Sequence, residues 1–211
     1  FVSKVGQHIE ILKLHEFGNA LFIDNELQVA EKDEKKYSGQ FVNSALSLSK
    51  DNSSAAIIGG GDGGVARECI SKGFDLIDWY ELDPEVVKVC YKHLPRTSGQ
   101  VRENNSVKCY WGDAFESIKN VKDSKYDKIF VDLNDDQYCV DLAAKNMKGL
   151  KRILKPGGVI TAQVGCLSKN PKQVDNWTKV LSKNFGNTKL DEIFIPSFDC
   201  RWAFASSIMD S

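Results

Sequence analysis

This sequence contains no C-x-x-C pair, only three histidines, and no apolar run of the roughly 18 residues that a bilayer-spanning helix requires. Each absence removes a class of function. Without paired cysteines or clustered histidines there is no zinc-ligand spacing, and no metal site is expected. The six cysteines (Cys69, Cys90, Cys109, Cys139, Cys166 and Cys200) stand singly in apolar segments, the pattern of reduced, buried thiols in a cytosolic protein. A cytoplasmic location is expected on that basis. A formal net charge of −1 gives no general attraction to nucleic acid or to an anionic membrane, so neither is expected as a partner. No signal-peptide pattern precedes the first strand-like segment, and the chain opens in mid-pattern at Phe1, as expected if residues precede it. Internal repeats and low-complexity tracts are absent too. What is present is 211 residues, 42% hydrophobic, enough for one sizeable core with a small appendage.

The first part reads as β structure. "HIEILKL" from His8 alternates apolar and polar residues, and "ALFIDNELQVAE" holds two short runs around Asp24-Asn25. With the turn at Phe17-Gly18-Asn19, this predicts a small antiparallel hairpin unit. The period then becomes helical, placing Tyr37, Phe41, Ala45 and Leu48 on one stripe. Further on, strands are predicted at 55–59, 76–82, 107–112, 126–133 and 158–164, with a final pair in "LDEIFIP" and "RWAFAS". Helices fit 63–72, 84–93, 114–120, 139–155 and 171–184. This alternation implies an α/β fold: a doubly wound, Rossmann-like sheet with an antiparallel C-terminal edge, preceded by the N-terminal β-hairpin unit. Its arrangement resembles that of class I S-adenosylmethionine-dependent transferases.

The chemistry concentrates in "AAIIGGGDGGVARECI". Gly59-x-Gly61-x-x-Gly64 satisfies the dinucleotide fingerprint, and Glu81 lies at a suitable distance to hold a ribose. Asp62 conflicts with that reading. A carboxylate inside a turn whose N–H groups face a pyrophosphate would be repelled by it. A cationic sulfonium nucleoside suits the loop better, with Glu81 on both ribose hydroxyls and Asp113 of "WGDAF" accepting from the adenine amino group. Asp113 before Ala114 also reads as a plain helix cap. Asp62 further separates two sulfonium ligands. S-adenosylmethionine points a carboxylate into such a loop, whereas its decarboxylated form ends in an ammonium. A like-charge pair at about 4 Å costs roughly 4 kcal/mol at an effective dielectric near 20, or about a thousandfold in affinity.

"GGGDGG" followed by "ELDPEV" and "GDAFE" resembles the polyamine aminopropyltransferases, the spermidine and spermine synthases, and the similarity runs over nearly the whole chain. "VGQHIEILKLHEFGNALFIDNELQVAEKDEKKY" is similar to that family's N-terminal β unit, and "IPSF…W" to its closing hairpin. The resemblance implies a β-strand unit over residues 1–35 and a Rossmann-like catalytic domain over 36–211. It assigns Gln7, Gln28, Gly59, Gly61, Asp62, Glu81, Asp113 and Ala114 to the nucleoside, with Asp62 at its aminopropyl end. Tyr37 and Phe198 line the amine site, Asp132 is the proton acceptor, and Asp135 is the second aspartate of the gate. Decarboxylated S-adenosylmethionine is implied as co-substrate, with no permanently bound cofactor and a homodimeric or homotetrameric assembly.

Three departures fall in the amine half. The gate "DLNDDQ" lacks the family's proline, Phe198 stands where a tyrosine is frequent, and Ser38 follows Tyr37 where spermidine synthases often carry glutamine. The expected reaction is aminopropyl transfer to putrescine, giving spermidine, or to spermidine, giving spermine or thermospermine. Asp132, Asp135 and Asp136 favour a polyamine over an amino-acid acceptor. The alternatives are a non-catalytic nucleoside- or polyamine-binding relative, an S-adenosylmethionine-dependent methyltransferase and, more weakly, a nicotinamide dehydrogenase. Trp79, Trp111 and Trp177 are expected in packing roles, and the three histidines at the surface.

Overall fold

A computed structural model describes residues 1–134 and 136–210. Three strands, β1 (Ile9–Leu14), β2 (Gly18–Ile23) and β3 (Glu26–Ala30), form an antiparallel sheet in chain order. Asp24 and Asn25 both have positive φ (50° and 67°), the requirement of a two-residue turn whose twist matches its strands. The unit has no core of its own. Its apolar face, Ile9, Leu21, Ile23 and Val29, closes on Val86, Cys90 and Leu94 at helix α3 (Pro84–His93) and its C-cap.

Helix α1 (Glu34–Leu48) leads into the main sheet: β4 (Ser54–Gly59), β5 (Leu76–Glu81), β6 (Val107–Trp111), β7 (Tyr126–Asp132), β8 (Leu154–Cys166), β9 (Thr188–Ile195) and β10 (Cys200–Ile208). The spatial order is β6-β5-β4-β7-β8-β10-β9. Pairing is parallel from β6 to β8 and antiparallel at the β10 and β9 edge. The order reverses between β4 and β7, so a crevice opens beyond the C-terminal ends of those strands.

Both faces of the sheet are covered. One layer packs Phe41 of α1 and Val65 of α2 (Gly64–Ser71) onto Ile57, Trp79, Phe130 and Phe204. The other sets Met147 and Leu150 of α6 (Gln137–Ile153) and Trp177 and Leu181 of α7 (Pro171–Phe185) against Ile129, Ile160 and Ala205. Trp79 and Trp177 are core residues as expected, whereas Trp111 leaves 50% of its surface exposed. Among the described residues no helix is long and apolar enough to cross a membrane.

Some boundaries differ from the sequence expectation. Strand β8 begins at Leu154 rather than 158, and α6 ends at Ile153 rather than 155. Pro156 explains this, because it bars the helical conformation from the residue before it. The segment at 114–120 divides into a short helix α5 (Ala114–Ser117) and a 3-10 turn, and a short helix α4 (Pro95–Ser98) was not anticipated.

The cysteines require a correction. Cys69, Cys90, Cys109 and Cys139 stand outside any disulfide, but Cys166 and Cys200 form one, with Cα atoms 5.9 Å apart. They lie 34 residues apart in sequence, and only the antiparallel pairing of β8 with β10 makes them neighbours. Denatured without reductant, the protein is expected to release four titratable thiols, and after reduction six. Six before reduction would refute the pairing.

Lys128 is anomalous for a central strand. It is fully buried on β7, its Nζ has no partner among the described residues, and burial holds its ammonium below the usual lysine range. Removing such a group while keeping its length is stabilising by the desolvation it no longer suffers. Lys128→Met is therefore expected to raise the Tm in thermal unfolding, and an unchanged or lower Tm would contradict this account.

Candidate active site

A cavity of about 900 Å³ opens at the reversal point between β4 and β7. The glycine loop forms its floor. Gly60 N–H donates to the Asp132 carbonyl at 3.0 Å. At Gly59 (φ +82°) an added Cβ would sit 2.3 Å from that same carbonyl oxygen, so no side chain fits. Gly61 is constrained from the other side, since its Cβ would meet Val86 at 2.8 Å and Glu81 Oε2 at 3.1 Å. The loop backbone is thus pressed between the ends of β5 and β7, and both acidic residues come with it.

Asp62 accepts from Gly64 N–H at 2.7 Å, which turns its carboxylate back over the start of α2. Beneath it, Glu34 and Arg67 form a buried ion pair at 2.6 Å that joins α1 to α2. Glu81 closes β5 and accepts from Asp83 N–H at 2.8 Å. Asp132 closes β7 and accepts from the Tyr37 hydroxyl at 2.6 Å. Tyr37 rises from α1 and packs edge-on against Phe198 and Phe204. The candidate amine-side residues Tyr37, Phe198 and Asp132 are therefore one contiguous group: Tyr37 bonds to Asp132 across 95 residues, and the Ser197–Asp33 bond at 2.7 Å, across 164 residues, seats the Phe198 loop beside the start of α1.

Burial raises all three acids. Glu81 is pushed up to about 7, the Asp83 N–H pulling the other way. Asp62 and Asp132 are both raised, chiefly by desolvation. Asp132 repels Asp62, while the Tyr37 hydroxyl favours the ionised form of Asp132. Such a cluster strongly favours a ligand carrying positive charge, whose arrival stabilises the carboxylates that desolvation penalises.

The remaining sequence candidates fall around the same space. Gln7 and Gln28 line it from the N-terminal sheet, with Gln28 Nε2 donating to the Glu26 carbonyl at 3.2 Å. Asp113 and Ala114 line the side beyond β6, and Asp113 also caps α5, accepting from Phe115 N–H at 2.7 Å. Asp113 thus caps a helix and lines the cavity at once. Asp135 lies outside the described residues. Asp136 lines the cavity and caps α6, accepting from Cys139 N–H at 2.7 Å.

Other residues of the cavity were not singled out. Gln163 donates to the Leu133 carbonyl and accepts from Trp202 Nε1 at 3.2 Å, bridging the ends of β7 and β10. Its signal was available: a lone polar side chain near the C-terminal end of a buried strand. Trp202 takes a place in the wall beside Phe198, with ring centroids 4.7 Å apart. Cys166, Cys200 and Lys169 complete that wall. Nothing local in the sequence marks them.

Comparison with known proteins identifies the family and the fold. The family model described as the spermine/spermidine synthase domain matches residues 34–210. A polyamine aminopropyltransferase of Prochlorococcus marinus (strain MIT 9215) is 32% identical, over 98% of this chain and 76% of its own length. One from Korarchaeum cryptofilum (strain OPF8) is 26% identical, over 97% of this chain and 64% of its own. The crystal structure of spermidine synthase from Thermotoga maritima shares the fold with a TM-score of 0.87 at 21% identity, covering 99% of this chain and 71% of that one. A spermidine synthase in complex with the transition state analogue AdoDATO gives 0.89 at 21% identity, covering 96% and 70%. An acidic glycine loop facing an aspartate at the end of β7, in a chain matched by that domain from its first main helix to its last strand, places this protein in the spermine/spermidine synthase family of aminopropyltransferases.

Proposed function

We propose that this protein transfers the aminopropyl group of decarboxylated S-adenosylmethionine to a polyamine, with putrescine as a working acceptor and spermidine as product, releasing 5′-methylthioadenosine. The observation that carries the reading is the pair of carboxylates, Asp62 and Asp132, brought to one cavity by the hydrogen bond between Gly60 and the Asp132 backbone. In this reading residues 1–35 form the N-terminal β unit and 36–211 the catalytic domain, acting in the cytoplasm. Cys69, Cys90, Cys109 and Cys139, the cysteines outside the disulfide, support that compartment. Exposed Phe1, Val2, Val5 and Leu12 on the N-terminal segment support self-association as a homodimer or homotetramer.

The nucleoside lies along the β5 and β6 side, its ribose on Glu81 and its adenine near Asp113 and Ala114. Its aminopropyl ammonium lies against Asp62. The acceptor enters under Tyr37, Phe198 and Trp202. Its amine nitrogen attacks the propyl carbon next to the sulfonium. The C–S bond breaks and its electron pair passes to sulfur as the C–N bond forms. An amine with a pKa of about 10 is mostly an ammonium at neutral pH with no lone pair to offer, so it gives up one proton before or as it attacks. Asp132 takes that proton, and Tyr37 orients the carboxylate for it. General-base assistance of this kind is worth about 10²–10⁴-fold, with positioning in the closed cleft supplying much of the remainder.

Calorimetry with decarboxylated S-adenosylmethionine is expected to show binding at least about tenfold tighter than S-adenosylmethionine, from the charge of the tail facing Asp62. Binding should release protons, seen as an enthalpy that varies with buffer ionisation, because a cationic ligand lowers the raised pKa of Asp62 and Glu81. Asp62→Asn should narrow the preference. Equal or reversed affinities in the unaltered protein would sink the assignment.

Asp132→Asn should remove all but about a hundredth or less of turnover while methylthioadenosine still binds. Activity should also fall with acidification as Asp132 protonates around its raised pKa of about 6. Tyr37→Phe removes a hydrogen bond that favours the carboxylate, so the acid limb of kcat/KM should move to higher pH. A limb that stays in place, or a shift toward lower pH, would exclude Asp132 as the titrating base.

A further inference from the structure

Six carboxylate residues line the cavity among the described residues: Glu26, Asp62, Glu81, Asp113, Asp132 and Asp136. One basic residue does, Lys169. It sits in the turn between β8 and α7 and is held there from several directions. Its backbone N–H contacts Cys166 Sγ at 3.3 Å, and its Nζ donates to the Phe198 carbonyl at 2.9 Å. The preceding Leu167 N–H bonds to the Arg201 carbonyl at 3.1 Å, and the Cys166–Cys200 disulfide ties this turn to the loop that carries Phe198. Lys169 is exposed, and its bond to the Phe198 carbonyl places the ammonium at the rim of the acceptor-side wall.

Its position relative to the reacting centre follows from contacts already described. Asp132 is bonded to the Tyr37 hydroxyl, the Tyr37 ring touches Phe198, and the Phe198 carbonyl holds the Lys169 ammonium. The acceptor side therefore runs from a carboxylate at its inner end to an exposed cation at its outer rim. On the aminopropyl-transfer reading, a diamine would place both nitrogens among the inner carboxylates, and a triamine would extend a further ammonium outward, toward a like charge.

Resting on the aminopropyl-transfer reading, we propose that Lys169 is a specificity-determining residue that disfavours acceptors carrying a third ammonium, selecting diamines over triamines. It acts by repulsion and touches no reacting atom. Like-charge juxtaposition is one way for a polar site to reject a ligand that fits it sterically.

The test is a competition between putrescine and spermidine with decarboxylated S-adenosylmethionine, products resolved by mass spectrometry, in the unaltered protein and in Lys169→Arg, Lys169→Met and Lys169→Glu. The spermidine-to-putrescine ratio of kcat/KM is expected to rise about threefold in Lys169→Met and about tenfold or more in Lys169→Glu, where repulsion is replaced by attraction. Lys169→Arg, which keeps the charge, should leave the ratio within about twofold. A ratio that stays within about twofold in Lys169→Glu, or moves equally in all three variants, would overturn the proposal. If the unaltered protein turns over neither amine, the proposed function fails. Calorimetric affinities of the two amines for the methylthioadenosine-loaded proteins then decide the role of Lys169 by the same ratios.

Discussion

The close approach of two backbones at the ends of β4 and β7 governs the site. The Gly60 N–H bonds to the Asp132 carbonyl, and Gly59 lies so near that carbonyl that a single methyl group would prevent the contact. Because the strands are parallel neighbours, the loop after β4 and the last side chain of β7 are delivered to the same cavity. Asp62 arrives with the first, Asp132 with the second, and Gly61 presses the loop onto Glu81 of β5. Had β4 ended in residues with side chains, the loop would stand off, and the carboxylates would line separate, wetter pockets.

Gathering carboxylates in this way is unfavourable for the empty protein. Burial raises Asp62, Glu81 and Asp132 together, and the repulsion between Asp132 and Asp62 adds to the effect. The fold opposes it with backbone and hydroxyl donors: Gly64 N–H on Asp62, Asp83 N–H on Glu81, and Tyr37 on Asp132. The Arg67 guanidinium beneath the loop is engaged by Glu34 and Glu68, so it anchors helices rather than neutralising the site. The compensation is incomplete, and the deficit is what a dicationic ligand supplies. Ligand preference and residual destabilisation are two aspects of the same electrostatics.

The peripheral elements serve this arrangement. The N-terminal sheet packs on α3, which follows Glu81, and so brings Gln7 and Gln28 to the cavity. Helix α1 spans the opposite side, with Phe41 in the core fixing the direction of Tyr37. At the antiparallel edge, Asp33 accepts from both the backbone and the hydroxyl of Ser197, seating the Phe198 loop against the start of α1. The Cys166–Cys200 bond fastens the same loop to the end of β8.

Most of the fold and the half of the cavity proposed to hold the nucleoside were legible in the sequence, because their determinants are local. Alternating strand and helix periods specify a doubly wound sheet, the glycine loop announces itself by composition, and Asp62, Glu81 and Asp113 stand at strand ends that periodicity alone locates. The amine half was decided by tertiary structure. Whether Tyr37 packs or reaches the site depends on the angle at which α1 crosses the sheet. The neighbourhood of Gln163, Lys169, Phe198 and Trp202 depends on the register of β8 against β10. That register also joins two cysteines which, read singly along the chain, looked like buried thiols. Local pattern fixes which way a side chain faces on its own element; which other side chain it then meets is set by pairing across 34 to 164 residues, and no local pattern encodes that.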